Sequence, residues 1–351
     1  MRFGDRTGGR RVKFNHSPTF ARVKILLIQT AFIGDVILAT ALLEELVTHR
    51  RGDAVDMLVR RGNEVLLANH PHVGRVLTWD KKRGKYRSLV GLFKELQLRQ
   101  YDAIVNLQRF GATGLLTAFT GARQRIGFDK NPFSFAYSRK LPHRIDPGGP
   151  FVHEIDRNRS LIAHWLPEDA PRQGPALYPT VADRQRVRTE APYVCLAPTS
   201  VWFTKQWPAE RWSDLIDLLP TDHAIYLLGA PADRVACQAI IAASQRPDAQ
   251  NRAGELSLLE SAALMQHARM NYVNDSAPLH LASAVNAPVT AVFCSTVPGF
   301  GFTPLSDESR VVEHAGDLPC RPCGLHGKAA CPEGHFRCAD IAPARVRGPL
   351  S

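Results

Sequence analysis

Four short clusters of polar residues sit where aliphatic runs end, and each carries side chains suited to moving protons or holding an anion. The first, "IQTAFIGD", sets Thr30 and then Gly34-Asp35 at the opening of a helical pattern. Asp at a helix start is favoured by capping and by the macrodipole. A carboxylate there also suits a general base, and the backbone N–H groups around it can face an anion. The second cluster, "LAPTSVWFTKQWPAERW", offers the hydroxyls of Thr199, Ser200 and Thr204 and then Lys205, a mobile point charge ahead of a helix that Pro208 can begin. Loop hydroxyls followed by Lys suit a diphosphate. The third, "LLGAPADR", ends in Asp233. The fourth, "YVNDSAPLHLASA", places Asp275 and Ser276 where a strand gives way to a helix, with His280 one turn later on a nearby face. Capping accounts for Asp275 or Ser276 but not for His280.

These clusters need a scaffold that brings strand ends together. Strand-like runs at "VKILLIQ", "AVDMLVR", "RVLTWD" and "YDAIVNLQ" alternate with helical patterns at "GDVILATALLEELVTHR", "GNEVLLANHP" and "YRSLVGLFKELQLRQ". That rhythm predicts a parallel sheet with helical crossovers. It breaks from Leu141 to Arg188 into Pro-rich, charged segments, with a linker expected near Pro167 to Pro179, and restarts with "YVCLAPTS", "AIYLLGAP", "RMNYVND" and "PVTAVFCST". At 351 residues the chain exceeds the usual size of one core. Two successive α/β halves imply a cleft, with ligands beyond the carboxyl ends of the strands.

Lys and Arg number 44 against 33 Asp and Glu, a net charge of +11, which favours an anionic partner: nucleic acid, an acidic membrane surface or a phosphorylated substrate. The first 22 residues are basic but lack the apolar stretch of a secretory signal, and no later run approaches a membrane span, so a cytoplasmic location is expected. Of seven cysteines, Cys195, Cys237 and Cys294 read as small buried hydrophobes. The other four, in "CRPCGLHGKAACPEGHFRC", are spaced C-x2-C-x7-C-x6-C with His326 and His335 nearby. Cys320, Cys323, Cys331 and Cys338 are the candidates for a metal, a structural zinc, although the second pair is wider than in an ordinary zinc ribbon.

Taken together, "IGD", "TKQWPAERW" and "NDSAPLHLASA" resemble glycosyltransferase family 9, the ADP-heptose transferases of lipopolysaccharide core assembly, over about Val23 to Val346. The resemblance implies a GT-B fold, two facing doubly wound Rossmann-like domains: an acceptor domain over 23–175 after a basic arm (1–22), and a nucleotide-sugar domain over 180–351 with the Cys-rich segment 320–338. It makes Asp35 the catalytic base and Lys205 a catalytic partner of the donor diphosphate. Thr199, Ser200, Asp233, Asp275, Ser276, Ala277 and His280 would contact the donor. "RIGFDKNPFSF" and "HEIDRNRSL" match segments that hold the anionic acceptor, which nominates Lys130 and Arg157, with Thr30, Arg60 and Arg61 beside them. The implied activity is inverting transfer of a heptose from a nucleoside-diphosphate sugar, ADP-heptose above all, to an anionic glycolipid, without a required cofactor and at the inner face of the cytoplasmic membrane. A sugar-nucleotide epimerase of the same architecture and a basic nucleic-acid-binding protein are the rival readings. No recognisable nucleic-acid motif and no aromatic stripe among the basic residues support the latter.

Overall fold

The computed structural model describes residues 23–50, 52–82, 85–146 and 148–349; the basic arm lies outside the described residues. The first sheet comprises β1 (Lys24–Gln29), β2 (Ala54–Arg60), β3 (Val76–Trp79), β4 (Ala103–Asn106), β5 (Gln124–Phe128) and β6 (Arg139–Leu141). Its crossovers include α1 (Ile33–His49), α2 (Lys85–Arg99) and α3 (Gly111–Phe119), and α4 (Glu154–Ser160) follows the last strand. After an irregular stretch come α5 (Val181–Arg186) and the second sheet: β7 (Tyr193–Ala197), β8 (Ala224–Leu227), β9 (Gln250–Asn251), β10 (Met270–Asn274), β11 (Val289–Phe293) and β12 (Ser309–Glu313). Its helices are α6 (Ala209–Asp217), α7 (Arg234–Ala243), α8 (Leu258–Gln266), α9 (Ala277–Ala284) and the terminal α10 (Pro343–Arg347).

All strand pairs are parallel, as continuous aliphatic runs predict for strands covered on both faces. The first sheet runs β3-β2-β1-β4-β5-β6 and the second β12-β11-β10-β7-β8-β9. Counted from its own first strand each has the order 3-2-1-4-5-6, that of doubly wound dinucleotide-binding folds. The order reverses between β1 and β4 in one half and between β7 and β10 in the other. The loops after these strands therefore hold the crevices.

The segment 62–71, expected as a helix, forms only a 3-10 turn over Glu64–Leu67. Its apolar residues fit a single turn, with Leu66 and Leu67 side by side in the core, and Pro71 cannot continue a helical ladder.

Helix α1 is buried along most of its length, from Val36 to Leu43 and at Glu45 and Leu46, because it is covered on two sides. Its own sheet takes one flank and α9 of the other half packs on another. One apolar cluster thereby runs from Ile25 and Leu42 across to Leu279 and Ala282. A helix apolar all round is a buried helix, and here it is the seam between the halves. Its charged Glu45 is matched by the Arg159 guanidinium at 2.7 Å and the Gln173 N–H at 3.0 Å. No helix among the described residues is long and apolar enough to cross a membrane.

Candidate active site

Because α1 and α9 meet across the seam, the loops that precede them face one cavity of about 210 Å3. Gly34 and Asp35 enter it from the first half; Ser200, Lys205, Asp275, Ser276, Ala277 and His280 enter from the second. These are the loops after β1, β7 and β10, the switch-point strands.

At the entrance to α1 the Asp35 carboxylate accepts a hydrogen bond from the Phe32 N–H at 3.2 Å, so it does cap the helix. It is only partly buried, yet loss of water raises its pKa above the ordinary aspartate value, while the Phe32 N–H first, and then His326 and Lys205 nearby, pull it back down. A carboxyl whose proton affinity is raised in a cleft is suited to accepting a proton from a substrate hydroxyl.

Gly34 is required by close approach: a Cβ there would lie 2.6 Å from His280 Cδ2. The start of α1 thus rests on the imidazole of α9. His280 is buried, its Nδ1 has no hydrogen-bond partner, and burial lowers its pKa to about 3, so the ring is neutral.

Opposite stands Lys205, whose ammonium is 2.8 Å from Asp275 Oδ2, an oxygen that also accepts from the Thr296 hydroxyl at 2.6 Å. Asp275 is therefore the group that aims Lys205 into the cavity. Ser276 occupies the residue before α9, but its hydroxyl makes no cap and contacts the Asn274 carbonyl at 3.4 Å. The side-chain capping expected of it is absent; Pro278 has no N–H and the Leu279 N–H is donated to the Ser276 carbonyl at 3.1 Å, so the Ala277 N–H is the first-turn donor without a side-chain acceptor.

The Cys-rich segment completes the wall and was not foreseen there. Thr204 donates its N–H to the Lys328 carbonyl at 3.1 Å and its hydroxyl accepts from the Lys328 N–H at 2.8 Å, which draws 325–328 onto the Lys205 loop. Gly327, at φ +76°, permits this, since a Cβ there would meet Lys205 Cγ at 2.8 Å. Leu325 and His326 are thereby brought into the cavity, joined by Trp202, Phe300 and Phe302. His326 has its pKa lowered by burial, against the pull of Asp35.

His326, Leu325 and Phe300 also border a second cavity of about 810 Å3 over the first half, lined by Arg109, Phe110, Lys130, His143 and Arg144. These residues follow β4, β5 and β6. Lys130 alone among them was read from the sequence. His143 is buried, with Nδ1 unpartnered and its pKa lowered to about 4 by burial and by the charges of Arg109 and Arg157.

Other expected site residues lie elsewhere. Arg157 lines neither cavity: it is buried, paired with Glu154 at 2.8 Å, and donates to the Val152 carbonyl at 2.6 Å and the Phe300 carbonyl at 2.5 Å. Its fork is consumed in bracing the Phe300 loop of the second half against α4 of the first. Thr30 is fully buried, donating to Gln108 Oε1 at 2.6 Å, and Arg60 borders neither cavity. Arg61 faces Asp80 at 3.6 Å. Asp233 closes its own turn by accepting from the Ala230 N–H at 2.7 Å, and Thr199 stays outside the cavity that Ser200 lines.

Cys195, Cys237 and Cys294 are buried. Cys338 is buried too, while Cys320, Cys323 and Cys331 are partly exposed. Among the described residues no three His, Cys, Asp or Glu side chains are grouped to hold a metal ion; Cys320 Sγ lies 3.9 Å from His335 Nε2.

The sequence model of glycosyltransferase family 9 (heptosyltransferase) matches residues 89–330, well over half of the chain. Lipopolysaccharide heptosyltransferase 1 of Pseudomonas aeruginosa is 27% identical over 322 residues, covering 86% of each chain. Among solved structures, E. coli ADP-heptose lipopolysaccharide heptosyltransferase II superposes with a TM-score of 0.76 at 22% identity, over 92% of this chain and 96% of that one. E. coli heptosyltransferase WaaC with ADP-2-deoxy-2-fluoro heptose does so with a TM-score of 0.67 at 22% identity, over 82% and 92%. The two-sheet architecture is thus that of solved heptosyltransferases, the rival readings as epimerase and nucleic-acid binder fall away, and the chain belongs to glycosyltransferase family 9, an enzyme of sugar transfer.

Proposed function

We propose that the chain transfers a heptose from ADP-heptose to the inner core of a lipopolysaccharide, with inversion at the anomeric carbon. One observation carries this reading: a single cavity in which Asp35 of one half faces Lys205 and the start of α9 from the other. A sugar on a diphosphate already has a good leaving group. The enzyme must then activate an acceptor hydroxyl and neutralise the charge that grows on the diphosphate. Asp35 takes the hydroxyl proton. Lys205, held by Asp275, and the positive end of the α9 dipole, with the Ala277 N–H, supply the countercharge. Attack from the Asp35 side, opposite the leaving diphosphate, inverts the centre.

The second cavity suits the acceptor, because Arg109, Lys130 and Arg144 outweigh the single carboxylate of Asp146 in its lining and the inner sugars of such glycolipids carry carboxylates and often phosphates. Its border with the first, at His326 and Phe300, is where the two substrates would meet. Support for the donor comes from the relatives' names and from the WaaC complex with an ADP-heptose analogue.

The test is product analysis with ADP-heptose, with and without a heptose-deficient core acceptor. ADP release that requires acceptor, with the sugar recovered on the glycolipid, supports the reading. Release of equal amounts in both arms, or epimerised donor without acceptor, refutes it. Unchanged rates with a chelator present are expected, since the proposed countercharge is the Lys205 ammonium.

A further inference from the structure

Beside the basic cavity the surface bears a ridge of phenylalanine rings. Phe110 is 64% exposed at the cavity mouth, Phe119 51% exposed at the end of α3, and Phe135 74% exposed in the turn between β5 and β6. Phe133 joins them, its ring centroid 6.1 Å from that of Phe119 and 6.1 Å from that of Phe135. The ridge is built on a fixed base: Asn131 donates to the carbonyls of Gln108 and Phe110, which ties the β5–β6 turn to the head of α3. Contiguous exposed apolar surface of this kind marks a docking site.

We infer that this ridge inserts into the interfacial layer of an anionic bilayer, and that Lys130 and Arg144 beside it meet the lipid phosphates. This rests on the lipopolysaccharide reading of the acceptor. Two features favour a membrane over a protein partner. Aromatic rings flanked by cations match a surface that is apolar below and anionic above, and the net charge of +11 has the complementary sign. The ridge is also continuous, through Phe110 and Lys130, with the cavity assigned to the acceptor sugars. A lipid-anchored acceptor would then present its sugars to the cavity while its chains stay in the bilayer.

Flotation of the full chain with acceptor-free vesicles tests this apart from any sugar transfer. Binding is expected to phosphatidylcholine vesicles containing phosphatidylglycerol, to weaken with salt, and to be slight with phosphatidylcholine alone. Phe119→Ser and Phe135→Ser should each weaken partition roughly tenfold, the worth of one partly exposed ring, with transfer to a delipidated acceptor and thermal midpoint unchanged. In the unmodified chain, amides of 129–137 should gain hydrogen-exchange protection on vesicle addition. The inference is overturned if the chain ignores anionic vesicles, if the double variant floats like the parent, or if the substitutions abolish self-association instead. Failure of heptosyl transfer with vesicle binding intact would count against the acceptor reading and not against the ridge.

Discussion

Replacing Asp35 by Asn separates the two roles its position allows. The amide oxygen can still accept from the Phe32 N–H, the 3.2 Å contact that starts α1, so the helix cap survives. What disappears is the capacity to take a proton. Loss of a general base slows a reaction by about 10² to 10⁴, or roughly 3 to 5 kcal/mol of barrier. The structure adds a prediction of opposite sign for stability. Burial raises the folded-state pKa of Asp35, so the contribution of this group is present below its unfolded value and is lost as pH rises through the folded one. At pH 8 the parent chain bears the cost of a poorly hydrated carboxylate and the Asn variant does not. The variant should therefore melt higher than the parent at pH 8, and the gap should close as pH falls toward 4. The same shift sets the acid limb of kcat/KM above the ordinary aspartate range, with activity rising as pH increases through it. Rates come from single-turnover ADP release at saturating donor, stability from thermal melts across pH. Near-parental turnover in the Asn variant would refute the base assignment, and a slow variant that also melts lower at pH 8 would mean that Asp35 works mainly through the fold.

Lys205→Ala should weaken ADP and donor by about ten- to a hundredfold, the worth of a charge-assisted contact, as read by calorimetric titration; unchanged ADP affinity removes Lys205 from the diphosphate site. Gly34→Ala places a methyl 2.6 Å from His280 Cδ2, so it should cost about 1–3 kcal/mol of stability, and His280→Ala in the same chain should recover much of it in a double-mutant cycle. Arg157→Ala strands Glu154 in the seam, a loss of about 3–5 kcal/mol in denaturant unfolding, with both substrate KM values rising together. A selective rise in the acceptor KM, with stability intact, would restore Arg157 to the acceptor site.

The legible parts of this chain were those governed by local pattern. Continuous aliphatic runs marked β1, β2, β4, β7 and β10, and the polar residues after three of them became one cavity because the sheet order reverses there. Arg157 shows where that logic ends. Its segment has the right residue types, but the carbonyls of Val152 and Phe300 that claim its guanidinium are set by how two halves dock, and no spacing encodes that. The short strands β9 and β12 escaped for another reason: an edge strand of two residues, or one reading "SRVVE", has too little apolar length to declare itself.

The Cys-rich segment does structural work that its cysteine spacing does not announce. Four cysteines draw the eye to sulfur, and the hydrogen bonds that tie the segment to the cavity are made between them by backbone and by Arg321. Its guanidinium donates to the carbonyls of Cys294 and Thr296, and the Cys323 N–H donates to the Ser295 carbonyl at 3.0 Å. Thr296 in turn holds Asp275, and Thr204, the neighbour of Lys205, is bonded to both Ser295 and Lys328. The segment is thus stitched to the two loops whose geometry sets the Lys205–Asp275 pair, and the same stitching delivers His326 to the border between the two cavities. Gly-Leu-His-Gly between Cys323 and Lys328 was the readable sign: small residues flanking a histidine serve close packing against another loop, and the glycine at 327 lies against Lys205 itself.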